Sequence, residues 1–384
     1  MRSPTVPPRY CPIAPVLHPD VALIEERSIE WMDSLALYAD ERKRQTLIDT
    51  HAADLTCRFM TKGTIDRIQF LADFQYWLWA IDDEYCDGGE CGTDAARFIP
   101  LAAALCRIAD APPRTLPELP EEAGRLGVAL RDLSLRYREM GSPSQVHRWV
   151  SSLYWWLLNV GWFVSLRERQ VIPSVNDYLV ARIQSAAVST CVVQIEVIHD
   201  VALVSDELHC PAVQALHEMA YLLVGGLDND MYSYVMEQNK GHNPLNLVNV
   251  LSVANVCPLD DAMTETLAIR DRVLCRYLDL HSQITANAND DLADYLNDMR
   301  NFVRANIEWP LHAPRYNEHI IFSNGRHAAE CTDEELAEFA LAAAPVPGSE
   351  TPLTYPSIAW WWSPDLSLDP RKPARGIKSA RKGW

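Results

Sequence analysis

The sequence offers no cysteine framework. Its ten cysteines are scattered, form no CxxC pair, and the closest two, Cys86 and Cys91, lack a nearby histidine to complete a zinc set. Reduced, mostly buried thiols are the expectation. A basic excess is missing too: the net charge is -18 and the pI near 5.0. That balance argues against nucleic acid and anionic membrane surfaces as partners. An anionic ligand would need a local cluster of cations or a metal. The most apolar stretch, "SLYWWLLNVGWFVSL", is too short and too interrupted by Asn159 and Gly161 to span a bilayer. The proline-rich start, "MRSPTVPPRYCPIAPVLHPD", has no signal-peptide core. A soluble, cytoplasmic chain without membrane partners is expected. Alternating strand patterns and internal repeats are also missing.

What is present is helical periodicity. The 384 residues are 48% hydrophobic and 22% charged, enough for a sizeable core. "DVALIEERSIEWMDSLALY" places Val21, Ile24, Ile29 and Trp31 at near-helical spacing. "TIDRIQFLADFQYWLWAIDDEYCD" does so with Ile68, Leu71, Phe74 and Leu78. Turn chemistry falls between such segments, at "DAPPRTLPELP", "GSPSQ", "QVIPSVND", "NKGHNP" and "CPLDD". The pattern predicts an all-α fold: a single large helical bundle with a central apolar pocket, over residues 20–316. Residues 1–19 form a Pro-rich N-terminal segment. Residues 317–384 read as a C-terminal extension with one more helix in "ECTDEELAEFALAAA", then extended or disordered chain. Its Trp360–Trp362 cluster is expected to dock on the domain surface, or less readily to act as a lid.

Two stretches carry candidate chemistry. In "WLWAIDDEYCDGG", Asp83 and Asp87 are four apart and share a face of an α-helix, with Asp82 beside them. Clustered carboxylates repel one another, so something positive should sit opposite. In "GLDNDMYSYVMEQNKG", Asn229, Ser233 and Glu237 recur every four residues. An amide oxygen, a hydroxyl and a carboxylate on one face are hard ligands of the kind Mg²⁺ prefers. Either stretch alone is as readily a solvated face. Together they could flank one cavity from opposite walls.

On these residues the chain resembles microbial class I terpene synthases. "DDEYCD" is similar to their aspartate-rich motif, with the third acid one place later than in plain DDxxD. "NDMYSYVME" is similar to their second metal motif, and the order and separation of the two agree over about residues 10–316. The resemblance implies metal ligation by Asp82, Asp83 and Asp87 on one side and by Asn229, Ser233 and Glu237 on the other. Arg182 would be the pyrophosphate-sensing arginine, with Ser185 and Ala186 as its linker and effector positions. Arg315 and Tyr316 resemble the late Arg-Tyr pair that binds pyrophosphate, and Trp309 the aromatic before it. One departure is Met236, where the family often has a cation before the glutamate; Lys240, one turn on, is the candidate substitute.

The resemblance further implies three Mg²⁺ ions, a prenyl diphosphate substrate and an antiparallel homodimer as a possible assembly. Ionisation would release pyrophosphate, and the cation would cyclise against aromatic walls, where a well-placed ring stabilises it by about 2 kcal/mol or more. Among Trp77, Trp79, Trp155, Trp156, Trp162 and Trp309, only Trp79 and Trp309 are chosen as pocket residues. Farnesyl diphosphate is the expected substrate, with geranylgeranyl diphosphate or a C-methylated geranyl diphosphate as alternatives. A trans-prenyltransferase would carry an arginine pair after its first motif, whereas "GGECGTDAARF" stands there in this chain. A class II cyclase would need DxDD, which is missing. A non-enzymatic helical metal-binding protein would have no use for Arg182 with Arg315 and Tyr316.

Overall fold

The computed structural model describes residues 4–86, 91–119, 121–239, 245–364 and 366, with residue 122 through its backbone only. Two-residue strands apart, the described regular structure is helical. At the centre lies the helix Ile65–Ile81, buried on every side; of its 17 residues, 12 are buried. That all-round burial explains its dense run of aromatics, since a helix enclosed by others has no polar face to present. Around it pack Val21–Ser34, Ala52–Cys57 and Gly124–Met140. Phe74 stacks on Trp77 with ring centroids 5.7 Å apart, and Phe59 on Phe302 at 4.1 Å.

The helix starts reflect local chemistry. Ser142 and Gln145 form a capping box at Pro143–Glu168, with Pro143 in the first turn. Asn289 accepts the Leu292 amide at 2.9 Å to open Asp290–His312. The apolar stretch Val175–Ile198 is long enough to cross a membrane by composition, but 72% of its most apolar window is buried. It is also broken at Ala187, whose φ of 59° is left-handed.

Two helices change winding, and both changes position the site. Ile65–Ile81 runs on into a π-helical turn, Asp82–Cys86. Pro211–Leu222 runs on into another, Leu223–Asp228, from which Asn229–Gln238 emerges as an ordinary α-helix. Such turns insert a residue per turn and so rotate the side chains beyond them onto a new face.

The two terminal segments pair with each other. Arg9–Tyr10 pairs in parallel with Leu341–Ala342, and Val6 bridges to Phe322. The expected late helix is present as Asp333–Ala340, with a Thr332/Glu335 capping box. The stretch from residue 345, expected to be extended or disordered, is instead docked through residue 364. Trp361 is fully buried, its indole donates to Glu218 at 2.8 Å, and Arg276 donates to its carbonyl at 2.9 Å. The long Leu259–Thr285 and Pro211–Leu222 helices supply that docking surface. The basic end lies outside the described residues.

Candidate active site

A cavity of about 1310 Å³, its open mouth included, lies among the central helices. Its lining brings together Asp82 from one wall with Asn229, Ser233 and Glu237 from the other. The two oxygen-rich stretches do flank one apolar space. Asp82 and Asp83 stand in the π-turn rather than on an α-helix. The four-residue spacing therefore does not describe their face; Asp87 lies outside the described residues.

A carboxylate cluster at a helix C-terminus opposes the helix dipole, at about 0.3–1 kcal/mol per charge. The compensation comes from arginines on separate elements. Arg315 grips Asp83 with both terminal nitrogens, each at 2.6 Å. Arg125 pairs with Glu84. Arg167 donates to the carbonyls of Cys86 and, at 2.9 Å, Gly92. Burial alone would lower the Arg315 pKa, but Asp83 holds it well above its ordinary value. Its guanidinium lies 4.9 Å over the Trp79 ring.

On the opposite wall the ligand face is wired to itself. Ser233 Oγ donates to Glu237 at 2.5 Å, and Asn246 donates to the other Glu237 oxygen at 3.1 Å. Arg182 donates to Asn229 Oδ1 at 2.8 Å and, through Nη2 and Nε, to Asp230 at 2.7 and 3.1 Å. Tyr178 and the Leu247 amide also donate to Asp230, at 2.6 and 2.9 Å. Burial pushes the Asp230 pKa up, and Arg182, Tyr178 and Leu247 oppose that shift. Behind it, the fully buried Asp228 accepts from Arg270 at 3.1 Å, with Arg9 3.7 Å away.

Arg182 ends a helix that stops at Ser185, with Ala186 as its C-cap. Both residues line the cavity. Gly225 makes this approach possible: a Cβ there would lie 2.4 Å from that of Ala186. At Gly226 a Cβ would meet Arg182 Cγ at 3.0 Å.

Trp79 and Trp309 both line the cavity and stack at 5.6 Å, with Tyr316 edge-on at 6.1 and 5.2 Å respectively. Burial raises the Tyr316 pKa, keeping its hydroxyl protonated. Trp77 is in the core away from the cavity, donating to the Leu126 carbonyl at 3.0 Å. Trp155 is exposed.

Trp156, a wall candidate that was not chosen, lines the cavity, and Phe163, Phe302, Asn306, Tyr232 and Arg167 were not singled out by sequence reasoning. Asp230 and Asn246 were missed as supports. Only Asp230 had a signal, being an acid inside the second motif. Lys240 lies outside the described residues, so its substitution for a cation at Met236 is neither placed nor displaced by the geometry.

The model for terpene synthase family 2, C-terminal metal binding, matches residues 73–274, over half of the chain. The chain belongs to the terpene synthase family. This synthase is 31% identical over 362 residues to spiroviolene synthase from Streptomyces violens, covering 94% of this chain and 97% of that one. It is 30% identical over 365 residues to bonnadiene synthase from Allokutzneria albata, covering 93% and 97%. The crystal structure of SVS_A2, a protein from ancestral sequence reconstruction, superposes with a TM-score of 0.78 at 32% identity, covering 93% of this chain and 98% of that one. The fold is therefore the all-α class I terpene synthase fold. The protein is a terpene cyclase, a lyase acting on a prenyl diphosphate, and the matched region is a metal-binding one.

Proposed function

We propose that this synthase ionises farnesyl diphosphate in a Mg²⁺-dependent step and cyclises the resulting cation to a sesquiterpene. The observation that carries the reading is the opposition of Asp82 to Asn229, Ser233 and Glu237 across one apolar cavity, with Arg182 and Arg315 also on its lining. The donor set fits Mg²⁺: the Ser233 and Glu237 oxygens already converge at 2.5 Å. Among the described residues no three His, Cys, Asp or Glu side chains cluster. The reading has three Mg²⁺ ions held by Asp82, Asp83 and Asp87 on one side and Asn229, Ser233 and Glu237 on the other.

Bound Mg²⁺ would neutralise diphosphate charge and polarise the leaving oxygen. Arg182, Arg315 and Tyr316 orient the diphosphate and donate to the oxygens on which negative charge develops. Lys240 is assigned the remaining cation role, with Ser185 and Ala186 presenting the helix break to the departing group. Trp79 and Trp309, with Trp156, shape the chain and stabilise the cation while excluding water.

A second reading, geranylgeranyl diphosphate, is supported by the match to a relative named as a diterpene cyclase. Relatives named as farnesyl diphosphate cyclizing and one named as a diterpene cyclase match at 25, 24 and 26% identity, which separates the two readings no further.

The test is incubation of the purified protein with geranyl, farnesyl and geranylgeranyl diphosphates, with Mg²⁺ or with EDTA, and mass spectrometry of the hydrocarbons formed. A Mg²⁺-dependent C15 cyclic product is expected, and Asp82→Ala should reduce it by at least about 10²-fold. A C20 product alone would replace the first reading by the second. Turnover that persists in EDTA would overturn both.

A further inference from the structure

Arg167 belongs to no sequence motif, yet it lines the cavity beside the aspartate-rich turn. It sits in the last turn of the helix Pro143–Glu168 and is half-buried. One arm donates to the carbonyl of Cys86, the last residue of the π-turn that carries Asp82 and Asp83. Its Nε donates at 2.9 Å to the carbonyl of Gly92, in the short 3₁₀ turn Cys91–Thr93. A single guanidinium thus ties the π-turn to the 3₁₀ turn. Carbonyls at the end of a helix have no intrahelical partner, and a π-wound end is held by fewer regular bonds than an α-helical one. The other arginines on this turn hold side chains: Arg315 holds Asp83, and Arg125 holds Glu84. Arg167 adds a hold on main chain, through the Cys86 and Gly92 carbonyls.

We infer that Arg167 is a positioning residue for metal binding: by bridging the Cys86 and Gly92 carbonyls it fixes the height at which the aspartate-rich turn presents Asp82 to the cavity. The inference rests on the reading of the site as one for Mg²⁺ and diphosphate. A planar fork suits this bridge; a lysine carries the charge but not the fixed two-point geometry. Removing a residue that orients a metal ligand without touching the metal ordinarily costs about 10–100-fold in metal affinity.

The experiment uses the full chain and inorganic pyrophosphate. Its binding is titrated calorimetrically, and the melting temperature is monitored, across a Mg²⁺ series for wild type, Arg167→Met and Arg167→Lys. The expected result is that the Mg²⁺ concentration for half-maximal pyrophosphate binding rises about 10-fold or more in Arg167→Met. Arg167→Lys should recover only a minor part of that loss. An unchanged Mg²⁺ dependence in both variants would overturn the inference, even if their melting temperatures fell, because that pattern describes a merely structural arginine. Full recovery in Arg167→Lys would overturn it too, by reducing the role to charge. If Arg167→Met does not fold, Arg167→Gln takes its place in the same titration. A wild-type protein that binds no pyrophosphate at any Mg²⁺ concentration would sink the reading of the site itself, an outcome distinct from variants that match a binding wild type.

Discussion

Asp230 illustrates why neighbours in a motif need not share a job. Asn229 presents its amide to the cavity, whereas the next side chain turns inward and collects Arg182, Tyr178 and the Leu247 amide. Its charge is what keeps the Arg182 guanidinium aimed at the site. Asp230→Asn should therefore lower kcat/KM by about 10–100-fold through Arg182. Unpairing a buried ion pair should also cost about 3–5 kcal/mol of stability. Steady-state kinetics and urea unfolding check both; unchanged kinetics with lost stability would confine Asp230 to the fold. His217 supplies the pH prediction. Burial lowers its pKa to about 4, and its Nε2 lies 2.9 Å from the Tyr295 hydroxyl. Below the ordinary pKa of about 6.5 the unfolded chain takes up a proton that the folded chain refuses. Stability from this group is complete above that pH and is lost as pH falls from 6.5 toward 4, by roughly 3 kcal/mol in all. Urea midpoints in His217→Asn should show a shallower acid slope over that window. At this scale the shared placement of Asp82, Asn229, Ser233 and Glu237 on one cavity was legible because motif spacing is local, and that of Arg182 only through the family resemblance. Asp230, Asn246 and Arg167 were not, because their partners are chosen by tertiary packing: Tyr178 reaches Asp230 across 52 residues of chain.

Between residues and the whole lie the two π-wound turns, one carrying Asp82 and the other leading into Asn229, Ser233 and Glu237 on the cavity lining. The apolar periodicity made the helices visible, but the change in winding left no trace in residue type. Asp83 was therefore assigned to an α-helical face although it stands in a π-turn, and its expected companion Asp87 lies outside the described residues. Glycine at 225 and 226 is the local sign that something passes close. Gly225→Ala places a methyl 2.4 Å from the Ala186 Cβ, so the helix break carrying Ser185 and Ala186 must move. Overpacking of this kind costs about 1–3 kcal/mol. A melting temperature lowered by a few degrees, with an altered ratio of hydrocarbon products, is the expected result. A stable variant with the wild-type product ratio would show that the break tolerates displacement.

Across the whole molecule, the single helical body was readable from its polar breaks and buried stripes. The ordered tail was not, since residues 345–364 carry no periodicity and gain their order from what they lie upon. Trp361 is the strongest anchor. Trp361→Ala should remove about 3–5 kcal/mol, seen as a lower urea midpoint, while leaving Mg²⁺ half-saturation unchanged because residues 317–364 include none that line the cavity.

The pairing of Arg9–Tyr10 with Leu341–Ala342 also has a consequence in time. A ribosome adds roughly 5–20 residues per second, so the second strand is made on the order of 20–60 seconds after the first. Throughout that interval Arg9, which ends fully buried 3.7 Å from Asp228, has no strand to lie beside. The nascent chain must leave residues 9 and 10 unpaired until residues 341 and 342 have been synthesised. This pairing thus follows synthesis of the helices between its two strands, and slowing translation just before residue 341 should prolong the protease sensitivity around residues 6–10 rather than that of the helical body.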